Sequence, residues 1–311
     1  MIAAFMVYCN EVRKYTIDPE EKNMKISEIL KSKSVTISME VFPPKSDVKL
    51  ESVRETVREI SRLNPAFVSC TYGAGGGTSR YTVEISKDIM EEGVTSMAHL
   101  TCVSSTKDSV HAQIGRIREA GIENILALRG DIPVGMDFPG DRYYHHAIQL
   151  VEQIRIEYPG ACIGGACYPE KHPEAASKDE DIRHIKEKVD AGCDFLTTQM
   201  FFDNSIYYNY LYRLREAGVN VPVLAGIMPV TSRRQMERSI QLSGCVIPSQ
   251  LAALVDCFGD SPLAMQQAGI VYASNQIIDL IANGCGHIHV YTMNKPEVAE
   301  GILRNLSEIL S

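Results

Sequence analysis

Polar side chains recur at the carboxyl ends of apolar stretches along this chain: Glu40, Thr71 with Tyr72, His99, Arg129-Gly130-Asp131, Tyr168, Gln199 and Tyr291. Glu40 closes the run Val35-Thr-Ile-Ser-Met-Glu-Val-Phe42, in which Ile37, Met39 and Val41 alternate with Ser38, Glu40 and Phe42 before Pro43-Pro44. That alternation is a strand signature, and the two prolines end it. A carboxyl half-removed from water at such a strand end keeps its proton more firmly, as a general acid working near pH 7 must. One strand-end Glu alone is as well explained by a surface Lys partner. A rim of so many chemically different groups is instead the composition of an active site.

Other stretches extend the rim. Gly73-Ala-Gly-Gly-Gly77-Thr78 lets its backbone approach a planar or anionic ligand closely, or serves as a plain loop. Leu128-Arg-Gly-Asp131 puts a cation, a bare backbone and an anion at one strand end, a layout suited to a ribityl, phosphate or pterin ligand. Tyr168-Pro-Glu-Lys-His-Pro-Glu174 has its path fixed by two prolines, so a preorganised binding loop is expected. His99 and His172 lack neighbours at metal-ligand spacing and read as hydrogen-bonding groups, so no metal is expected. His287 and His289 share one strand face, where packing inside the sheet is the default reading. Gln199, on the face of Thr197 and Phe201, can donate and accept at once, as recognition of a fused heterocycle requires, and a buried structural Gln fits the residues equally well.

The elements that position these groups alternate. Strands are expected at Thr36 to Phe42, Phe67 to Tyr72, Thr95 to Cys102, Asn124 to Arg129, Cys162 to Cys167, Phe195 to Met200, Val221 to Gly226 and His287 to Tyr291, with helical patterns between them and a last helix over Pro296 to Ile309. Strand ends recur about every 30 residues, the length of a βαβ repeat, and eight of these close a (β/α)8 TIM barrel. The stretch from Gly226 to His287 is twice that length and purely helical in pattern, so the connection between strands seven and eight is elaborated. A doubly wound open sheet is the rival, yet Phe42-Pro-Pro-Lys45 is not the Gly-rich first turn it calls for.

With 311 residues, 45% hydrophobic and 23% charged, the chain can bury a barrel-sized core as one catalytic domain over residues 24–311, preceded by a tail, residues 1–23, without catalytic content; Met24 is an alternative expected start of translation. A net charge of -8 and the lack of any basic run argue against nucleic acid or an anionic membrane as partner. The nine cysteines contain no C-x-x-C and read as small buried hydrophobes in a reducing cytoplasm.

Eight segments together resemble the successive motifs of the 5,10-methylenetetrahydrofolate reductases: Ser38-Met-Glu-Val-Phe-Pro-Pro-Lys45, Val68-Ser-Cys-Thr-Tyr-Gly-Ala74, His99-Leu-Thr-Cys102, Ala127-Leu-Arg-Gly-Asp131, Tyr168-Pro-Glu-Lys-His-Pro-Glu-Ala175, Thr198-Gln-Met-Phe-Phe-Asp203, Gly226-Ile-Met-Pro-Val230 and Tyr291-Thr-Met-Asn294. They stand in that family's order from about residue 34 to 300. The resemblance implies an FAD-containing barrel that reduces methylenetetrahydrofolate to 5-methyltetrahydrofolate with NADH or NADPH. It implies Glu40 as the acid toward the folate N10, Asp131 as the carboxylate near flavin and pterin, and Gln199 as an amide used in turn by nicotinamide and folate. Thr71 falls at a nicotinamide-contacting position. Tyr72, Ala74, His99, Arg129, Gly130, His145, Tyr168, His172, Ala175, Asp181, His184 and Lys188 fall at FAD-contacting ones, and Gln235 and Lys295 at folate-contacting ones. His145, His184, Glu187, Ser239 and Lys295 differ in type from the best-known bacterial member. Folate and NAD(P)H are thus the expected small-molecule partners, with a homo-oligomer expected. The alternatives are a catalytic subunit fed by a partner electron-transfer protein and a non-flavin barrel lyase.

Overall fold

The eight apolar runs form β1 (Thr36–Val41), β2 (Val68–Cys70), β3 (Ser96–Thr101), β4 (Asn124–Leu128), β5 (Cys162–Cys167), β6 (Phe195–Thr198), β7 (Val223–Ile227) and β8 (His287–Tyr291), all parallel and closed in sequence order into one barrel. The computed structural model describes residues 24–72, 79–132 and 140–311, so the N-terminal tail of residues 1–23 lies outside the described residues. The helices are α1 (Ile26–Ser32), α2 (Leu50–Arg62), α3 (Ser79–Glu91), α4 (Lys107–Glu119), α5 (Ala147–Glu157), α6 (Lys178–Asp190), α7 (Asn204–Glu216), α8 (Arg233–Ser243), α9 (Ser249–Phe258), α10 (Pro262–Ala282) and α11 (Pro296–Asn305). The expected (β/α)8 TIM barrel is therefore present, and the elaborated connection between β7 and β8 is the run α8, α9 and α10.

Local chemistry sets several boundaries. Ser177, Asp203 and Ser232 cap α6, α7 and α8 by accepting a backbone N–H with their side chains. Pro262 and Pro296 occupy the first helical turns of α10 and α11, where a missing N–H is harmless. β2 and β6 are shorter than expected. β6 ends at Thr198, and the strand alternation stops with it. Phe201 consequently leaves the Thr197 and Gln199 face and stacks on Tyr207, ring centroids 5.0 Å apart.

Two parts of the core shape the barrel. Between strands and helices lies an apolar annulus that includes Met39, Val41, Val57, Ile60, Ile277 and Ile302. The outward set on β1 is thus the one the alternation assigned. Inside the barrel, Phe67, Met97, Leu126, Phe195 and Leu224 form an apolar floor, closed by Ile26 and Leu30 of α1. α1 is fastened there by Asn124, whose Oδ1 accepts from Ile26 N at 2.8 Å while Nδ2 donates to Met24 O at 3.2 Å and Ser96 O at 3.1 Å. The parallel register sets Glu40 level with Ser69 on β2 and Tyr291 on β8, and Ser38 level with His289.

Candidate active site

The carboxyl ends of the strands open into a cavity of about 440 Å³, within the size range of small-molecule sites. Glu40, Thr71, Tyr72, His99, Arg129, Gly130, Asp131, Tyr168, His172, Lys188 and Gln199 all contribute to its wall, drawn from β1 through β6, the loops that follow them and, for Lys188, α6. Phe42, Thr101, Thr197 and Tyr291 also line it, with apolar residues such as Leu126, Leu128 and Ala166.

Glu40 is buried at 7% exposure, and its nearest ring nitrogens are His99 Nε2 at 3.5 Å and His289 Nε2 at 3.6 Å. Its backbone is clamped by the chain after β8. Thr292 Oγ1 donates to Glu40 O at 2.6 Å, and Asn294 brackets the next peptide, accepting from Phe42 N at 2.7 Å and donating to Phe42 O at 3.0 Å. Met293 and Asn294 adopt positive φ of 57° and 55° to turn the chain back for this clamp. Tyr291 donates its hydroxyl to Thr198 O at 2.5 Å, across the place where Gly226 leaves room. Burial pushes the His99 imidazole down to about 4, so the ring is neutral at physiological pH.

Around Arg129 the rim is ionic. Its guanidinium takes both carboxylate oxygens of Glu174, which hydrogen-bonds it into a still more firmly protonated state. Gly130 has φ 82°, and a Cβ there would press on Thr101. Burial pushes the Tyr168 phenol up to about 12. The loop after β5 is internally tied: Tyr168 and His172 pack edge to face at 4.7 Å, Lys171 has φ 101° and donates to Ala175 O, and His172 N donates to Asp181 Oδ2 at 3.1 Å. Lys188 reaches back to donate to Ala166 O at 2.6 Å.

Six of the expected residues lie away from this wall. Asp181 lines a neighbouring hollow of about 450 Å³ with Tyr168 and Lys171. Ala175 and His184 stand near it, on the loop after β5 and on α6. His145 lies just before α5, with its ring near Gly140 O. Gln235 spends its amide locally, accepting from Thr231 N at 2.9 Å and donating to Pro229 O at 3.0 Å, while Lys295 Nζ donates to Thr231 Oγ1 at 2.8 Å. Ser239 is buried in α8 and bonds back to Gln235 O at 3.0 Å. Ala74 and the rest of residues 73–78 lie outside the described residues.

Sequence reasoning passed over Ser38, Ser69 and His289. All three are fully buried, Ser69 level with Glu40 and Ser38 and His289 beneath it, and His289 meets both serines and the carboxyl rather than only packing. The signal was present: polar residues two positions before a rim residue on an otherwise apolar strand share its face.

Two polar atoms in the cavity wall, His99 Nε2 and Thr197 Oγ1, are buried without a hydrogen-bond partner. Such atoms are costly unless a ligand meets them, which fits a planar group with polar edges seated on the bare backbone at Gly130. The cysteines offer no competing nucleophile here: burial pushes the Cys102 and Cys167 thiols up to about 12.

Residues 25–307 match the family profile of methylenetetrahydrofolate reductase. An Escherichia coli 5,10-methylenetetrahydrofolate reductase is 32% identical over 273 residues, which cover 88% of this chain and 90% of that one. An Arabidopsis thaliana methylenetetrahydrofolate reductase (NADH) is 33% identical over 300 residues, covering 92% of this chain and 50% of that one, so the chain spans half the length of the plant protein. Among solved structures, a Clostridium thermocellum protein that binds two copies of 5-methyl-5,6,7,8-tetrahydrofolic acid superposes with a TM-score of 0.64 at 15% identity, covering 92% of this chain and 99% of that one. At that identity the likeness concerns the fold.

Proposed function

Since the chain belongs to the methylenetetrahydrofolate reductase family, we propose that it reduces 5,10-methylenetetrahydrofolate to 5-methyltetrahydrofolate with FAD as cofactor and NADH or NADPH as electron source. The observation that carries this reading is Glu40, a buried carboxyl in the wall of a cavity that mixes apolar, hydrogen-bonding and charged side chains. FAD, when bound, supplies a hydride relay that accepts from the nicotinamide and gives to the folate, so the two substrates take turns in one cavity. Arg129, Gly130, Tyr168, His172 and Lys188 suit its ribityl and phosphate portion, with Tyr72, His99 and Thr71 toward the ring. Ala74, His145, Ala175, Asp181 and His184 are carried as further FAD contacts by the family likeness.

Glu40 gives its proton to the folate N10. The bond from N10 to the methylene carbon then breaks with its electron pair on the nitrogen, and a cationic iminium remains to accept hydride. Asp131 at the rim favours that cation electrostatically. Gln199 presents an amide that can serve either substrate, and Gln235 on α8 and Lys295 ahead of α11 are carried as folate contacts by the family likeness. The reading carries a cytoplasmic homo-oligomer with it.

The test is a flavin absorbance spectrum followed anaerobically, first with NADH and then with methylenetetrahydrofolate. Bleaching by NADH and recovery with folate are expected. A colourless protein would overturn the flavin reading in favour of a lyase, and a yellow protein bleached only by 5-methyltetrahydrofolate would point to a partner that delivers the electrons. Glu40→Gln is expected to slow recovery by at least 100-fold, roughly the worth of a general acid, and to spare bleaching; equal loss of both would remove the acid role.

A further inference from the structure

Below Glu40 the hydrogen-bond pattern fixes where protons sit. Ser38 has one hydroxyl proton and donates it to Ile288 O at 2.9 Å. Its oxygen, 2.8 Å from His289 Nδ1, must therefore accept, so His289 carries a proton on Nδ1. In the neutral imidazole Nε2 is then the acceptor, and the ring is held by a stack on Phe67 at 5.7 Å. That lone pair lies 3.3 Å from Ser69 Oγ, and Ser69 Oγ lies 3.4 Å from Glu40 Oε2. One hydroxyl thus stands between two acceptors at nearly equal reach.

We infer that Ser69 is a two-position switch that sets the protonation of Glu40, with His289 as the acceptor that holds the switch in its resting position. While Glu40 is a carboxylic acid, its O–H donates to Ser69 Oγ and the Ser69 O–H donates to His289 Nε2. Once the proton has left for the substrate, the Ser69 O–H turns to Glu40 Oε2 and stabilises the new carboxylate. No bond to carbon changes, and one proton leaves the chain. The inference rests on Glu40 being the acid.

The surroundings leave this work to Ser69. Glu40 is faced by His99 from β3, by His289 and Tyr291 from β8, by Ser38 of its own strand, and by Ser69 and Cys70 from β2. His99 is neutral and its Nε2 makes no hydrogen bond, Tyr291 spends its hydroxyl on Thr198 O, and Cys70 is held as a thiol by burial. Among the described residues no Lys or Arg lies within ion-pair distance of Glu40. Ser69 and His289 are positioning residues, buried beneath the cavity wall rather than part of it.

Two variants of the flavin-loaded protein are expected to move the acid in opposite directions. Ser69→Ala deprives the carboxylate of its donor, and a bond to a charged acceptor outweighs the neutral bond lost with it. The alkaline limb of the folate half-reaction should rise by about one pH unit, and the plateau should fall about tenfold, the size of one charge-assisted hydrogen bond. His289→Phe keeps the stack on Phe67 and deletes the acceptor, so Ser69 donates to Glu40 throughout and the limb should fall. An infrared titration of the carboxylic C=O band that Glu40→Gln removes provides the same midpoints without turnover. Limbs that stay put, or move the same way, overturn the switch. If His289→Phe does not fold, an unmoved limb in Ser69→Ala alone overturns it. Retention of the folate half-reaction in Glu40→Gln would instead overturn the acid on which the switch acts.

Discussion

Glu40, His99 and Asp131 occupy three different electrical settings within one cavity. His99 is the group whose setting reaches beyond chemistry into stability. Its folded-state value of about 4 lies below the ordinary 6.5, so the unfolded chain binds the extra proton between those two values. Stability therefore rises with pH across that window and is lost as pH falls through it. The full span corresponds to roughly 3 kcal/mol. Acid unfolding of the ligand-free protein should begin near pH 6, and His99→Gln should flatten the slope of stability against pH between 6.5 and 4; an unchanged slope would place the acid sensitivity elsewhere. Burial lowers His146, His172 and His287 in the same direction, so the slope should lessen without vanishing. Asp131, exposed at the rim, acts on charge instead. Asp131→Asn should raise the flavin potential, because a fixed anion opposes the charge added on reduction; a redox titration against a reference dye that finds no change would remove the tuning role. At this scale the rim residues were legible, since each ends an apolar run. Ser69 and His289 were legible only as sharing the face of a rim residue, because a buried Ser or His on a strand carries no mark of whether it packs or holds a proton.

Among the elements, α1 and the β7 to β8 connection are the ones that depart from a bare barrel. α1 contributes Ile26 at 0% and Leu30 at 4% exposure to the floor. A chain begun at Met24 should melt where the full chain does, whereas one begun at Ser34 should lose the floor and bind flavin weakly. Ile26→Ala is expected to cost about 3 kcal/mol, and Asn124→Ala about 2 kcal/mol through the N–H of Ile26 left unpaired, both read from denaturant midpoints. At β7, a Cβ on Gly226 would strike Thr198 O and the Tyr291 hydroxyl. Gly226→Ala should therefore lower stability by about 3 kcal/mol and release Tyr291 from its bond; a wild-type melting point would contradict that packing. Strand existence was readable from apolar runs, but the ends of β2 and β6 were not, because the last expected residues of each leave the ladder to serve the rim. The inserted helices were readable only as helical pattern. Their apolar residues build a separate cluster around Met200, Val230, Leu251 and Met265, which periodicity alone cannot assign to a partner.

For the molecule as a whole, the regular recurrence of strand ends fixed the closed barrel, and right-handed parallel connections left little choice of strand order. No helix among the described residues is long and apolar enough to cross a membrane. The floor under the barrel has a further consequence, for traffic. Ile26 and Leu30 close the end opposite the cavity, so among the described residues that end offers no door. A proton spent at Glu40 finds no rear entrance there by which to be replaced, and its way back is the path the product takes out. Re-arming of the acid is then paced by product departure. Buffer species too large to slip past an occupant cannot hasten it, however concentrated they are.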